Sequence, residues 1–171
     1  MSVELPFAPV DEVIRRNAGD LRVSADAAEE LARRIQSHGA SLAVDAAEAA
    51  ATAGRKTLMA DDFGVQQVID REALTLPIAP VDRIARLEID DSYRVSMDAR
   101  IALADALEGY ADNVAHAAAT LARHADRRPV QAEHIATSFA LFDSDSVRPQ
   151  RRLSRPPHRP PPPGVPRPSA G

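Results

Sequence analysis

Apolar residues recur at helical spacing in two long stretches of the chain. In each stretch, four apolar positions are separated by four, seven and four residues, which places them along one face of a helix. The four positions are Leu31, Ile35, Leu42 and Ala46 in the first stretch and Leu103, Leu107, Val114 and Ala118 in the second. The pattern predicts helices over about residues 25–52 and 97–124, each roughly 42 Å long. A helix of that length needs a second long helix to cover its apolar face, and the chain supplies one.

Short helices are predicted on both sides of each long helix. Pro9 and Pro80 suit the first turn of a helix, where the missing N–H costs no hydrogen bond. Ser24 and Ser96 stand where the long helices begin, and serine is a preferred N-cap residue. The predicted short helices run over about residues 9–18, 60–70, 80–89 and 132–142. A short linker, residues 71–79, is left between the two halves.

The order of helices repeats because the sequence itself repeats. Residues 5–11 recur as residues 76–82 at an offset of 71, and residues 22–27 recur as residues 94–99 at an offset of 72. We therefore expect a duplicated unit of about 70 residues. Two half-cores that each lack a partner should pair with each other across so short a linker. The predicted domains are a first repeat at 1–70, the linker at 71–79, a second repeat at 80–146 and a tail at 147–171.

Charge is distributed unevenly along the 171 residues. All 25 acidic residues precede Ser146, whereas six of the 21 basic residues follow it. Because the last 23 residues include nine prolines and no acid, residues 147–171 are predicted to be extended or disordered. This tail is either a cationic arm or the product of a shifted reading frame. The acidic body, with Lys56 as its only lysine, indicates a cytoplasm of high salt, although a GC-rich genome that favours arginine would give the same composition.

Composition also excludes several classes of function. The absence of cysteine excludes disulfides and thiolate metal sites, and no spacing among the five histidines resembles a metal site. No glycine-rich phosphate loop and no nucleophile motif occur. No apolar run approaches the roughly 20 residues needed to span a bilayer, and no signal peptide opens the chain. We therefore predict a soluble, intracellular, non-enzymatic protein without a cofactor or metal.

Three sequence blocks, present in order in both halves, carry a resemblance to a known family. The blocks Leu-Pro-x-Ala-Pro-Val, Arg-Val-Ser-x-Asp-Ala and Ala-Gly-Arg-Lys-Thr before Ala-Asp-Asp resemble the archaeal histones over about residues 3–142. The tandem arrangement and the acidic body resemble the doublet histones of halophilic archaea. The resemblance implies an all-α protein made of two fused histone folds, each with short, long and short helices, in an intramolecular handshake pseudo-dimer. It also implies that double-stranded DNA wraps around the outside, and that the protein is cytoplasmic and associated with the chromosome in the nucleoid.

The resemblance assigns DNA contacts to the loops and to the first helix of each repeat. Arg22 and Arg94 match a first-loop arginine that enters the minor groove, where a narrow groove concentrates negative potential. Lys56 and Thr57 match a second-loop phosphate contact, which repeat 2 weakens because Pro129 has neither a hydroxyl nor an N–H. The DNA-binding residues implied are Arg15, Arg22, Lys56, Thr57, Arg83, Arg86, Arg94 and Arg128.

The resemblance also implies an internal ion pair that pins the second loop to the third helix. In repeat 1 this pair is Arg55 with Asp62. In repeat 2 the corresponding residues are Arg127 and His134, which lack the same Coulomb attraction, and Glu133 is the candidate substitute.

A contact between molecules is implied at the end of the second long helix. The family places a histidine there that bonds an aspartate of the next pair through a four-helix bundle, and His124 matches it. Repeat 1 has Thr52 at that position but keeps Asp62. The hypothesis is that His124 of one molecule bonds Asp62 of another, which would build head-to-tail chains.

A second function stays open because DNA binding through phosphate contacts weakens at high salt. Phosphate contacts weaken as counterion release becomes less favourable at high salt, and the acidic body adds repulsion. The alternative is a histone-fold transcriptional regulator or protein-interaction scaffold with weakened DNA binding.

Overall fold

The computed structural model describes residues 2–126 and 129–147, with side chains as far as Leu141. Five α-helices occur in this part of the chain, together with two short strands and two 3-10 turns. The helices are α1 (Phe7–Ala18), α2 (Ala25–Thr52), α3 (Ile78–Ala85), α4 (Met97–His124) and α5 (Ala132–Val147). The strands are β1 (Thr57–Leu58) and β2 (Arg94–Val95), and the 3-10 turns are Ala60–Phe63 and Arg71–Ala73. Both long helices therefore lie where the apolar spacing predicts them.

The two long helices begin and end with different local chemistry. The hydroxyl of Ser96 caps α4 by accepting the N–H of Ala99 at 3.1 Å. Ser24 has N-cap backbone geometry but does not cap α2; its hydroxyl instead contacts the carbonyl of Val130 at 3.0 Å and the carboxylate of Asp26. Past their C-termini, Gly54 and Asp126 both have a positive φ, of 75° and 53°. The left-handed conformation is easy for glycine and strained for aspartate.

Helices of one half pack against helices of the other half around a single core. Helix α1 packs on α4, α3 packs on α2, and α5 packs on both long helices. Gly39 lies at the crossing, where a Cβ atom would approach Ile84 Cγ2 to 2.8 Å and Leu107 Cδ1 to 2.9 Å. His38 stacks on Tyr110 with ring centroids 4.1 Å apart. The repeat offset of 72 makes these two aromatic residues equivalent, so they meet where the two halves face each other.

Buried side chains at equivalent positions of the long helices hold the segments that precede α1 and α3. Glu108 accepts the backbone N–H groups of Thr75 at 2.6 Å and Leu76 at 3.0 Å. Its equivalent in the first half, Gln36, accepts the N–H of Glu4 at 2.8 Å. These contacts orient the start of each repeat against its own long helix.

The predicted third helix of repeat 1 is wrong. In place of a helix over 60–70, the chain forms the turn Ala60–Phe63 and then leaves it through Gly64, which has a φ of 76°. Alanine, the best helix former, stands at the equivalent position in repeat 2, Ala136, and there the helix continues. Between Gly64 and α3 the only regular element is the 3-10 turn Arg71–Ala73, so the chain crosses to the second half where a helix was expected.

Smaller boundary differences occur elsewhere. Helices α1 and α3 begin two residues before the predictions, and α3 ends at Ala85 instead of residue 89. Helix α5 runs to Val147 instead of residue 142. The predicted tail was residues 147–171; Val147 ends α5, and the rest of the tail lies outside the described residues.

Candidate nucleic-acid interface

The second loop of repeat 1 and the first loop of repeat 2 form one surface. Strand β1 pairs in parallel with β2, aligning Thr57 with Arg94, and the N–H of Arg94 donates to the carbonyl of Lys56 at 2.8 Å. The side chains of Arg94 and Lys56 are exposed. The Lys56 ammonium lies 4.7 Å from the centre of the Tyr93 ring, within the range of a cation–π contact. We call residues 55–58 and 92–96 loop pair A. It brings two cations and a hydroxyl-bearing residue together although they are almost 40 positions apart.

The other two loops pair in the same way. Val23 forms a parallel bridge with Val130, the N–H of Val130 donates to the carbonyl of Arg22 at 2.6 Å, and the N–H of Ser24 donates back to Val130 at 2.9 Å. The Arg22 side chain is exposed. We call residues 21–24 and 129–131 loop pair B. Pro129 takes the place that Thr57 has in loop pair A, and Arg128 lies outside the described residues.

The arginines expected on the first helices are each paired with an acid. Arg15 Nε lies 2.5 Å from Asp11, and Arg83 Nε lies 2.8 Å from Glu4. Arg86 Nε lies 3.1 Å from Asp82. A phosphate would have to compete with these carboxylates, so the three arginines attract DNA less than unpaired ones would. Sequence reasoning missed these pairs, although two of them have the i, i+4 spacing that brings side chains together on a helix.

Arg55 and Asp62, the expected ion pair, make two hydrogen bonds. Arg55 Nη1 donates to Asp62 Oδ2 at 2.9 Å and Nη2 donates to Oδ1 at 2.8 Å, while Nη1 also donates to the carbonyl of Thr57 at 2.9 Å. Asp62 additionally accepts the N–H of Met59 at 2.7 Å. The hydrogen bonds from Arg55 lower the pKa of Asp62, and Asp62 raises the pKa of Arg55. This pair holds the loop that carries Lys56 in a fixed shape.

Repeat 2 fixes the equivalent turn with a histidine. His134 Nδ1 accepts the N–H of Gln131 at 2.9 Å, which reproduces the contact of Asp62 with Met59. The ring is buried, and its Nε2 lies 3.9 Å from Glu133. Arg127 lies outside the described residues, so its expected relation to His134 stays a prediction.

His124 and Asp62, the two residues expected to meet between molecules, differ in solvent exposure. His124 is exposed as the last residue of α4. The Asp62 side chain is only 4% exposed because Arg55 and Met59 surround it. A contact from His124 of another molecule to Asp62 stays a prediction, but Asp62 does not offer an open carboxylate.

Residues 2–126 and 129–147 contain neither a cluster of metal-ligating side chains nor a membrane-spanning helix. In that range no three acidic, histidine or cysteine side chains cluster as metal ligands would. None of the helices described there has both the length and the apolar character needed to cross a bilayer.

The second half has the short, long and short helices of a histone fold, the first half has the first two of them, and the loops of the two halves pair in parallel as in that fold. In agreement, the histone from Methanopyrus kandleri superposes with a TM-score of 0.58 and 27% identity, covering 78% of this chain and 92% of that one. A protein from Thermus thermophilus superposes with a TM-score of 0.63 over 82% of this chain and 98% of that one; at 17% identity it shows the fold alone.

Sequence comparison then identifies the family. The chain belongs to the family of histone-like transcription factors (CBF/NF-Y) and archaeal histones, which matches it twice, at residues 3–65 and 74–139. It is also similar to one subunit of the archaeal histone HAN1 from Thermococcus zilligii, with 50% identity over 60 residues, 35% of this chain and 87% of that protein.

Proposed function

We propose that this chain is a tandem histone whose two repeats form an intramolecular handshake pair, and that it binds double-stranded DNA with little sequence specificity. The observation that carries the proposal is loop pair A, where the exposed Arg94 and Lys56 lie beside the half-buried Thr57. Arg22 in loop pair B is the pseudo-symmetric counterpart. The same proposal includes a non-enzymatic role. It also places the protein on the chromosome, in the nucleoid of a cell whose cytoplasm has a high salt concentration.

Support for the intramolecular pair comes from the repeat and from the packing. The family matches each half separately, and the first helix of each half packs on the long helix of the other. A domain boundary within the linker agrees with both observations.

The chemistry of the exposed loops suits the DNA backbone. Phosphate contacts from lysine, threonine and backbone N–H groups position a protein on DNA without reading its sequence. A narrow minor groove has a strong negative potential, which attracts a guanidinium without any contact that depends on the base sequence. Arg22 and Arg94 would take this second role, and Lys56 and Thr57 the first.

The ion pairs on the first helices support the second candidate, a transcriptional regulator or protein scaffold with weakened DNA binding. Arg15, Arg83 and Arg86 each contact a carboxylate, and Pro129 removes a contact from loop pair B. Fewer phosphates would then be neutralised than the number of arginines suggests. Binding should be confined to the loops and should weaken steeply with salt.

Titration of a random-sequence duplex by fluorescence anisotropy at several potassium concentrations tests the proposal. Arg22→Ala with Arg94→Ala should lower the affinity. The slope of log K against log salt should become shallower by about 0.9 for each phosphate contact removed, so Lys56→Ala should lower both the affinity and the slope. The matched control is Arg33→Ala, which removes an exposed arginine paired with Glu30 on α2. Equal binding by the loop double variant and the control would refute DNA binding through these loops and favour the scaffold.

A further inference from the structure

A single carboxylate on α3 contacts two arginines from two different helices. Asp82 Oδ2 lies 3.1 Å from Nε of Arg86, which is one turn further along the chain. Asp82 Oδ1 lies 3.1 Å from Nε of Arg100, in the first turn of α4. Arg100 is not among the residues to which the family resemblance assigns a DNA contact. The structure therefore places a second arginine, which the sequence did not indicate, beside the one that it did.

Both arginines adjoin loop pair A. Arg86 Nη1 donates to the carbonyl of Tyr93 at 3.5 Å, and the centre of the Tyr93 ring lies 4.7 Å from the Lys56 ammonium. Arg94, the next residue, is exposed, and Arg100 belongs to the helix that begins directly after β2. A duplex that contacts Lys56 and Arg94 therefore passes close to Arg86 and Arg100.

The counterpart of this cluster in repeat 1 has one arginine fewer. The repeat offsets of 71 and 72 relate three pairs of positions: Asp82 with Asp11, Arg86 with Arg15, and Arg100 with Ala28. Asp11 lies 2.5 Å from Arg15, and Ala28 is buried and uncharged. One carboxylate thus opposes one guanidinium in repeat 1, whereas one carboxylate opposes two guanidinium groups in repeat 2.

The Asp82 carboxylate opposes DNA binding in two ways. It occupies guanidinium N–H groups that would otherwise donate to phosphate oxygens, and its negative charge repels a phosphate that approaches them. Solvent reaches both arginines, since the side chain of Arg86 is 41% exposed and that of Arg100 is 28% exposed. The contact of Asp82 with Arg100 lacks hydrogen-bond geometry, so it depends on charge. Removing that charge without changing the size of the side chain should therefore release Arg100 and weaken the contact with Arg86.

We propose that Arg86 and Arg100 form a phosphate site for DNA beside loop pair A, and that Asp82 limits the affinity of this site by opposing both guanidinium groups. Asp11 opposes Arg15 in the same way but controls one arginine only. The inference deepens the proposed function, on which it rests, by adding Arg100 to the DNA-binding surface and by naming the residue that weakens this surface.

The anisotropy titration of a random-sequence duplex at several potassium concentrations tests the site in the full chain. Asp82→Asn should raise the affinity roughly tenfold at low salt. It should also steepen the slope of log K against log salt by about 0.9 for each arginine that gains a phosphate. Asp11→Asn should have a smaller effect on both quantities, because it releases one arginine.

Glu30→Gln is the matched control for the change in net charge. Glu30 also contacts two arginines, Arg33 and Arg34, at 2.7 and 2.8 Å, and these lie on α2, where no DNA contact is expected. Its replacement should leave the slope unchanged. If Asp82→Asn and Glu30→Gln give the same affinity and the same slope, the effect is one of net charge and the proposal is wrong.

A second substitution in the Asp82→Asn background gives a readout that a folding defect would not mimic. Arg100→Ala should remove much of the gained affinity in that background and should have a smaller effect on the wild type. An equal effect in both backgrounds would overturn the role of Arg100. Circular dichroism verifies the fold of each variant, and Asp82→Ser, which removes the same charge with a smaller side chain, should reproduce the gain.

The outcomes separate this inference from the proposed function. If the wild type binds DNA through Arg22 and Arg94 but Asp82→Asn gains no affinity, only the phosphate site fails. If the Arg22→Ala, Arg94→Ala variant binds as its own control does, DNA binding through the loops fails, whatever the effect of Asp82→Asn.

Discussion

The two halves cross at Gly39, and this crossing decides whether an alanine at that position stabilises or destabilises the protein. In Gly39→Ala, the new Cβ would lie 2.8 Å from Ile84 Cγ2 and 2.9 Å from Leu107 Cδ1, whereas ordinary van der Waals contacts begin at 3.4 Å. Both neighbours belong to the second half, so they must move by about half an ångström. Overpacking of this kind costs about 1–3 kcal/mol, against a gain of about 1 kcal/mol from replacing glycine within a helix. The expected net effect is a loss of roughly 0–2 kcal/mol of stability.

Gly109→Ala is the matched control, because nothing lies within 4 Å of its added Cβ. This exposed position in α4 should gain about 1 kcal/mol. The two variants should therefore differ by about 1–3 kcal/mol, or by roughly 2–12 °C in Tm for a chain of this size. Thermal and urea unfolding followed by circular dichroism measures both. If Gly39→Ala stabilises the protein as much as Gly109→Ala does, the halves do not cross at Gly39 and the intramolecular pair is wrong.

Three further predictions concern single positions. Glu108→Ala should cost about 2–4 kcal/mol in urea unfolding because it leaves the N–H groups of Thr75 and Leu76 without their acceptor; a loss no larger than for Glu108→Gln, which keeps an oxygen, would contradict this. Asp126→Gly should raise stability by up to about 1 kcal/mol, because glycine relieves a φ of 53°, and an unchanged Tm would count against strain there. Since the pKa of Asp62 is lowered in the folded state, its contribution to stability is present at neutral pH and is lost as the pH falls through that lowered pKa. Asp62→Asn should therefore be less stable than wild type at pH 7, and the difference should shrink as the pH falls below 3.8, the ordinary pKa of an aspartate; a difference that stays constant as the pH falls would refute the argument.

The periodicity of apolar residues was sufficient to locate the long helices, because a buried stripe of 28 residues leaves a repeated pattern that loops do not imitate. The internal repeat likewise predicted that two similar halves would share a core. A third helix was predicted for repeat 1 in error, because the internal repeat relates this segment to residues 132–142 of the second half. The decisive difference is Gly64 in place of Ala136, and a glycine near a helix end is compatible with either outcome. The pairs of Arg15 with Asp11 and Arg86 with Asp82 were readable from their spacing, whereas that of Arg83 with Glu4 was not.

The sequence by itself determined the two long helices, the internal repeat and the identity of the exposed loop residues, since each depends on the residues along the chain and not on which segments pack together. Only the tertiary structure decided which loops face each other, because the pairing of Lys56 with Arg94 and of Arg22 with Val130 arises from the crossing of two helices far apart in sequence. The tertiary structure also decided that the two ends of the molecule are unlike. A single turn at Gly64 determines whether the chain continues as a helix or crosses to the second half, and the crossing uses the residues that would otherwise have formed that helix.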